Sequence, residues 1–283
     1  MKLSSRDLRR RAAEAREHYG HCDLCAHACG VDRRPGPAGV CQEGDGLWLA
    51  GAGIHHGEEP QLVPSGLVLI AGCNLSCQSC ETWEISLERR GAVATSAGQL
   101  AALLLDLQKR GAANANFVTP THVLPALLDG LAVAAGHGFS LPVVWNCGGY
   151  ESIEALRLLD GVVDVYLPDA KYGDDAAAYE LSGCKRYTAA LLQSLQEMHR
   201  QAEVIVRHLV LPAGVAAPEK LMPLIAGVSP DLCVNVLSQY RPVYRASRFP
   251  VIARGVRPEE VQLAVDAARS AGLRRLLIDG KPA

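Results

Sequence analysis

The pattern of apolar and polar positions divides the chain near residue 66. Residues 4–18 form a charged stretch with helical spacing, and Ser4, with Asp7 three residues later, is typical of a helix N-terminus. A segment rich in Gly, Pro and Cys follows at 20–57 and has little periodicity. From residue 66 onward, short apolar runs alternate with stretches of helical period.

The second region predicts a parallel α/β sheet. Strands are expected at 67–71, 115–119, 141–146, 162–167, 203–210, 232–237 and 274–278. Helices are expected at 97–110, 122–136, 151–159, 186–200, 218–226 and 257–271. Ser96 and Gln99 have the spacing of a capping box at the start of the first of these helices, and Gly111 fits its C-terminal end. Strands that are apolar throughout and alternate with helices indicate a sheet buried on both faces.

Three cysteines follow the first strand of this region. The apolar run ends at Gly72, and the polar loop after it holds Cys73, Cys77 and Cys80 in the spacing C-x3-C-x2-C. Three thiolates can hold one iron–sulfur cluster and leave one iron without a protein ligand. An open position on a metal centre is typical of catalytic sites. The alternative, three unconnected buried thiols, fits a polar loop less well.

The C-x3-C-x2-C loop at the end of a first strand resembles the signature of the radical S-adenosylmethionine (radical SAM) enzymes. The resemblance implies a [4Fe–4S] cluster whose free iron chelates the amino and carboxylate groups of S-adenosylmethionine, and reductive cleavage to a 5′-deoxyadenosyl radical. It also implies an α/β fold, a partial (β/α)6 TIM-type barrel, which suits the roughly six βα units predicted above. The superfamily usually has an aromatic residue before the third cysteine, where this chain has Ser79. Because Ser79 lacks the ring, we expect a weaker contact near the adenine of S-adenosylmethionine.

A second cysteine group precedes the predicted barrel and consists of Cys22, Cys25, Cys29 and Cys41. Four thiols this close in sequence suit either a zinc site or an auxiliary [4Fe–4S] cluster, and their spacing does not separate the two. We therefore expect an N-terminal helix and Cys-rich metal-binding segment at 1–62, and the barrel at 63–283. The isolated Cys147, Cys184 and Cys233 are expected to be incidental thiols.

Polar residues at the predicted strand ends are candidates for cofactor binding, because parallel α/β barrels carry their chemistry there. Asp169 and Lys171 lie two residues apart and project from the same side of an extended segment. Lys171 can donate to a carboxylate, and Asp169 can accept from an ammonium or a ribose hydroxyl. A surface ion pair is the alternative. The Asp-x-Lys pattern resembles the cofactor-binding motif of glycyl-radical-enzyme activating enzymes.

That resemblance implies further contacts with the cofactor. Arg207 aligns with a basic residue that approaches it, while the adjacent His208 points to the other face and is expected in the core. Arg241 stands where the family often has a contacting His. Thr121 either contacts the cofactor or caps the next helix. The weaker candidates for cofactor or substrate binding are Asn116, Thr119, Thr121 and Asn146. We assign no residue to catalysis itself.

Five short sequence motifs together resemble one branch of the superfamily, the uncharacterised homologues of pyruvate formate-lyase activating enzyme. The motifs lie at 56–60, 118–122, 146–150, 168–172 and 207–212. The resemblance, which covers about residues 22–240, implies abstraction of hydrogen from a substrate. That substrate is either a glycine of a partner glycyl-radical enzyme or a small molecule or peptide. A non-enzymatic iron–sulfur or zinc electron-transfer protein is a third reading, which the open three-cysteine loop disfavours. A reductant such as flavodoxin or ferredoxin is the expected partner.

The composition of the chain bears on its binding partners and its location in the cell. The chain of 283 residues has a net charge of only −2, which gives no bulk attraction to nucleic acid or anionic membranes. The first residues lack the apolar core of a signal peptide, and no apolar run approaches the ~18 residues of a membrane span. We expect a cytoplasmic protein. A polar loop of His55, His56, Glu58 and Glu59 either touches substrate or is an exposed turn.

Overall fold

The computed structural model describes residues 3–57 and 59–283. In chain order its strands are β1 (Trp48–His55), β2 (Ser65–Ile70), β3 (Val93–Ala94), β4 (Asn114–Val118), β5 (Val143–Cys147), β6 (Val165–Pro168), β7 (Glu203–Leu209), β8 (Cys233–Leu237), β9 (Arg275–Ile278) and β10 (Lys281–Pro282). Its α-helices are α1 (Ser5–Glu17), α2 (Trp83–Ser86), α3 (Ala97–Lys109), α4 (Leu124–Gly136), α5 (Ile153–Leu158), α6 (Asp175–Ser182), α7 (Tyr187–Gln201), α8 (Pro218–Val228) and α9 (Pro258–Ser270).

One open sheet joins these strands in the order β10-β9-β8-β7-β6-β5-β4-β2-β1-β3. In this order, neighbouring strands among the seven from β9 to β2 pair in parallel. The antiparallel strands β1, β3 and β10 extend the sheet at its two ends. Because the two edges do not meet, the sheet is a partial barrel, and the predicted α/β architecture is confirmed.

The apolar runs form strands because both faces of the sheet are covered. Every residue of β5 and of β8 is buried, as parallel strands between two layers require. The N-terminal helix α1 packs on α4 through Leu8, Ala12 and Ala15, and the hydroxyl of Ser5 donates to the carbonyl of Ala132 at 2.6 Å. The core is therefore continuous from α1 to the barrel helices.

The predicted helices and strands of the barrel are present, with ends shifted by a few residues. Both expected capping boxes form, Ser4 with Asp7 and Ser96 with Gln99. Helix α4 begins two residues later than expected, at Leu124, because a 3₁₀ turn occupies Thr121–Val123. In the described ranges, no helix is long and apolar enough to cross a membrane.

The prediction missed strand β1 inside the segment at 20–57. This strand pairs antiparallel with β2 and places the Cys-rich segment against the start of the barrel. Its central residues are Ala and Gly, which give almost no alternation of apolar and polar positions to detect. The short helices α2 and α6 were also not predicted. The division of the chain at residue 62 stays a prediction.

Candidate active site

A cavity of about 340 Å³ opens where the parallel strands end. Its wall includes the thiols of the cysteine loop and polar side chains from β4, β5, β7 and the segment after β6. The cavity therefore brings together residues that are far apart in sequence. The members used below are Cys73, Cys77, Cys80, Asp169, Lys171 and Arg207.

The cysteine loop begins with a turn that only glycine accommodates. Gly72 has φ +84°, and a Cβ on it would clash with Oε1 of Glu43 and lie 2.9 Å from Nε2 of His122. The loop then rests on the end of α6, where the backbone N–H of Gln78 donates to the carbonyl of Leu181 at 2.8 Å. These two constraints fix the direction in which the thiols leave the strand.

The sulfur atoms of the loop receive hydrogen bonds from the protein. The backbone N–H of Leu75 donates to Sγ of Cys73 at 3.3 Å, and the hydroxyl of Ser182 donates to Sγ of Cys77 at 3.1 Å. Burial raises the pKa of Cys73 and of Cys77, and for Cys77 the ammonium of Lys171 acts in the opposite direction. Because iron takes thiolates, cluster binding would release these protons. In donor chemistry the loop fits a cluster.

Asp169, Lys171, Arg207 and Asn146 form one hydrogen-bonded group on the cavity wall. Nζ of Lys171 lies 2.6 Å from Oδ2 of Asp169. Nε of Arg207 donates to Oδ1 of Asp169 at 2.9 Å, and Nη2 of Arg207 donates to Oδ1 of Asn146 at 2.6 Å. The structure thus brings the predicted pair Asp169 and Lys171 together with one predicted residue from each of two other strands.

The charges of this group hold the carboxyl of Asp169 ionised. Burial alone would raise its pKa, but the guanidinium of Arg207 and the ammonium of Lys171 together lower the pKa below its ordinary value of 3.8. The pair Asp169 and Lys171 therefore presents an acceptor and a donor side by side at the cavity wall. This arrangement can receive an amino group and a carboxylate at once.

The other predicted contacts divide into two sets. Thr119 and Asn116 line the cavity, although the hydroxyl of Thr119 donates to the carbonyl of Val118 at 2.8 Å, and Nδ2 of Asn116 donates to the hydroxyl of Ser65 at 3.2 Å. Thr121 instead donates to Oε2 of the buried Glu151 at 2.6 Å. It also does not cap α4, whose N-cap is Val123. The 3₁₀ turn directs Thr121 away from the strand ends.

Arg241 and His208 lie in different surroundings. Arg241 lines the exposed mouth of the cavity, 3.9 Å from the carboxylate of Glu81. His208 is fully buried and its Nδ1 contacts the carbonyl of Ala170 at 2.9 Å. Burial lowers the pKa of His208, as expected of a neutral core histidine.

Other residues hold the site in place through contacts that the sequence did not indicate. The hydroxyl of Tyr187 accepts from the backbone N–H of Lys171 at 2.8 Å and donates to the carbonyl of Asp169 at 3.0 Å. Tyr187 begins α7, and nothing in its local sequence marks it as part of a site. From the polar loop, His55 and Glu59 line the cavity, and Nδ2 of Asn235 donates to Oε1 of Glu59 at 3.1 Å. Glu58 lies outside the described residues.

The N-terminal cysteines lie around a second, smaller pocket. Cys22, Cys25, Cys29 and Cys41 all line it, together with Arg33, His27, Asn74 and His122. The chain turns between them at Gly30 and Gly39, with φ +67° and +71°. Burial raises the pKa of Cys25 and of Cys41. The structure therefore gathers four thiols that the sequence spreads over a long loop.

Asn74 joins the two cysteine sites. It follows Cys73 directly in the cysteine loop, yet it also lines the N-terminal pocket. Its carbonyl bonds to Nε2 of His27 at 2.8 Å, and its Nδ2 donates to the carbonyl of Tyr150 at 3.1 Å. Over residues 3–57 and 59–283, no group of three or more His, Cys, Asp or Glu side chains is arranged so as to hold a metal ion.

Comparison with known proteins gives one close sequence relative. The chain is 32% identical over 268 residues to the uncharacterised protein MJ0674 of Methanocaldococcus jannaschii, an alignment that covers 92% of this chain and 77% of that protein. No family model matches the sequence.

Two solved structures share the fold at low sequence identity. HydG, a maturase of the [FeFe]-hydrogenase, has a TM-score of 0.52 and 12% identity over 73% of this chain and 49% of its own. Streptococcus suis SuiB, bound to the precursor peptide SuiA, has a TM-score of 0.53 and 11% identity over 74% of this chain and 47% of its own. The chain thus spans about half the length of each. Both are radical SAM enzymes, and the resemblance to the radical SAM fold is confirmed.

The group around Asp169 yields a prediction for stability. Asp169→Asn leaves two cations without their carboxylate, and because the group is only partly buried we expect a loss of about 1–3 kcal/mol in the free energy of unfolding at pH 7. The exposed Asp231, 3.1 Å from Arg274, provides the control, and Asp231→Asn should cost less than about 0.5 kcal/mol. Urea denaturation under anaerobic conditions measures both.

The same pair of variants has a defined pH dependence. The native pKa of Asp169 is lowered below 3.8, so its stabilising charge is fully present above that pH and is lost as the pH falls through the native pKa. The difference between parent and Asp169→Asn should stay constant from about pH 7 to about pH 5. A difference that shrinks over this interval would show that the cations do not hold the carboxyl ionised.

Proposed function

We propose that this chain, which belongs to the family of the uncharacterised protein MJ0674 and has the radical SAM fold, cleaves S-adenosylmethionine reductively at a [4Fe–4S] cluster. The observation that supports the proposal best is the shared cavity. Cys73, Cys77 and Cys80 line it together with a carboxylate, an ammonium and a guanidinium. Three thiolates leave one iron for the amino-acid end of the cofactor, and the charged group supplies matching donors and acceptors.

The residues of the cavity wall have separate roles in this proposal. Cys73, Cys77 and Cys80 hold the cluster, which when bound and reduced supplies the electron that generates the 5′-deoxyadenosyl radical. Lys171 and Arg207 provide positive donors for a carboxylate, and Asp169 accepts from an ammonium or a ribose hydroxyl. The cavity wall keeps the reacting atoms from bulk water. Asn146 orients Arg207 through their 2.6 Å hydrogen bond.

The substrate that loses hydrogen belongs to one of two classes. The branch resemblance suggests a glycine of a partner glycyl-radical enzyme. The second class is a small molecule or a peptide, and the polar side chains of the cavity wall suit either class. We therefore propose the partner glycine first and a small molecule or peptide second.

Two further assignments complete the proposal. Cys22, Cys25, Cys29 and Cys41 hold a second metal centre, either an auxiliary [4Fe–4S] cluster or zinc, since all four line one pocket. A flavodoxin or ferredoxin supplies the electron. The N-terminal segment is poor in periodic apolar residues, so its fold is expected to depend on the bound metal.

Replacement of one ligand tests the chemistry itself. Anaerobic protein given dithionite and S-adenosylmethionine should release 5′-deoxyadenosine, and Cys77→Ala should abolish the release because a loop with two thiolates no longer binds the cluster. Cys233→Ala, on β8, is the matched control and should retain activity. Liquid chromatography with mass detection measures the product. Undiminished turnover in Cys77→Ala would refute the assignment.

The charged group is tested by binding. Lys171→Ala should weaken binding of S-adenosylmethionine roughly ten- to a hundred-fold, because a charge-assisted hydrogen bond contributes about 1.5–3 kcal/mol. Its iron content should equal that of the parent. Lys220→Ala removes an exposed lysine 3.6 Å from Asp174 and should leave affinity unchanged. Equal affinity of Lys171→Ala and parent in equilibrium dialysis would remove Lys171 from the cofactor site.

Isotope transfer distinguishes the substrate classes. The enzyme is incubated either with a deuterated small-molecule extract or with a cell protein fraction labelled with deuterated glycine, and deuterium in 5′-deoxyadenosine is measured. We expect label from the glycine-labelled protein fraction, because the branch resemblance favours a glycine of a partner enzyme. Label from the small-molecule extract alone would instead identify a small-molecule substrate.

A further inference from the structure

Arg33 is a buried cation next to the N-terminal cysteines. It is 0% exposed, although a guanidinium stays charged at every pH that a folded protein tolerates. Its Nε donates to the carbonyl of Glu43 at 2.9 Å and its Nη2 donates to the carbonyl of Gly44 at 2.6 Å. Its guanidinium carbon lies 4.6 Å from the ring centre of Tyr19. These contacts fix the position of Arg33 but bring it no negative charge.

The carboxylates near Arg33 in sequence serve other arginines. Asp32 pairs with Arg34 at 2.7 Å, and the carboxylate of Glu43 pairs with Arg89 at 3.0 Å. In the described part of the chain, Arg33 has no carboxylate oxygen within 4.0 Å. Buried charges in proteins are paired, because an isolated charge is strongly disfavoured away from water. The charge of Arg33 acts on the carboxyl of Glu43, but that carboxylate is shared with Arg89, so Arg33 has no carboxylate of its own.

The guanidinium also contacts a cysteine sulfur. Nη1 of Arg33 donates to Sγ of Cys22 at 3.7 Å, and Arg33 lines the pocket that all four N-terminal cysteines share. Neutral thiols would not balance the charge. Four thiolates around a divalent zinc ion, or around an oxidised [4Fe–4S] core of charge 2+, have a net charge of about −2, and four protons leave on binding.

We propose that Arg33 is the built-in counter-ion of a dianionic tetrathiolate centre on Cys22, Cys25, Cys29 and Cys41. The inference rests on the metal centre proposed above and not on cleavage of S-adenosylmethionine. Arg33 holds the ligand Cys22 by a charge-assisted N–H···S bond and offsets the charge of the whole centre. If the centre is an iron–sulfur cluster, Arg33 also raises its reduction potential, because a nearby positive charge favours the added electron.

The test combines metal analysis with two arginine variants. Arg33→Met removes the charge and keeps much of the volume, while Arg33→Lys keeps the charge. Arg34→Met is the matched control, because the neighbouring Arg34 is exposed and pairs with Asp32. The double variant Cys25→Ala/Cys29→Ala identifies the metal that belongs to the N-terminal centre, about four irons or about one zinc per chain, while the three-cysteine cluster stays.

The proposal predicts that Arg33→Met releases the N-terminal metal to a chelator at least tenfold faster than the parent, whereas Arg34→Met matches the parent and Arg33→Lys lies close to it. For an iron–sulfur centre, a titration followed by electron paramagnetic resonance should also show a lower potential in Arg33→Met. Equal release in parent and Arg33→Met would overturn the proposal. Equally fast metal release from Arg33→Met and Arg33→Lys would also overturn the proposal, because only the shape of the Arg33 side chain, and not its charge, would then matter.

A double-mutant comparison provides a second test, independent of activity. In the parent, Arg33→Met should lower the melting temperature. The Cys25→Ala/Cys29→Ala background has neither the counter-charge nor the metal-dependent fold of the segment, so the same change should have almost no effect there. An equal loss in both backgrounds, or a metal content that is the same in the parent and the double variant, would contradict the proposal without affecting 5′-deoxyadenosine release.

Discussion

The turn at Gly72 is the constraint on which both cysteine sites depend. With φ +84° and no side chain, it lets the chain leave β2 directly beneath Glu43 and His122. The three thiols then face the ends of the parallel strands, and the segment that carries Cys41 lies against the same junction. A side chain at this position would push against Glu43 and His122, so this turn lets the two cysteine groups lie close together.

Charge pairing organises what surrounds that turn. On the cavity side, Asp169 shares its carboxylate between Lys171 and Arg207, which leaves donors and an acceptor facing one space. On the other side, Glu43 pairs with Arg89, and Arg33 faces sulfur. Asn74 follows Cys73 in the cysteine loop and bonds to His27, which lines the N-terminal pocket. The cysteine loop is therefore held from behind by the N-terminal pocket and from the side by the end of α6.

The sequence predicted those features that depend on local patterns. Buried parallel strands such as β5 are continuously apolar, and capping boxes such as that of Ser96 and Gln99 have a fixed spacing, so both could be located. The pairing of Asp169 with Lys171 followed from the period of an extended chain. Strand β1 could not be predicted, because Ala and Gly in its middle carry no apolar signal.

Contacts between segments that are distant in sequence explain why the other features of the site were not predicted. Ser182 reaches Cys77 and Tyr187 reaches Lys171 only after the helices α6 and α7 pack on the sheet. Thr121 follows a strand end in sequence, yet a 3₁₀ turn directs it to Glu151. Arg33 lies in a loop with no periodicity, and only its complete burial distinguishes it from the exposed Arg34. Sequence spacing does not encode such burial.

The central claim is that the cluster held by Cys73, Cys77 and Cys80 binds S-adenosylmethionine through an iron that no cysteine occupies. Electron–nuclear double resonance on the reduced protein tests it most directly, with the cofactor labelled by ¹⁵N in its amino group and ¹⁷O in its carboxylate. Removal of Cys25 and Cys29 leaves the three-cysteine cluster as the sole source of signal. We predict hyperfine coupling from both labels, because both groups bind the free iron. A spectrum without coupling from either label would contradict the account.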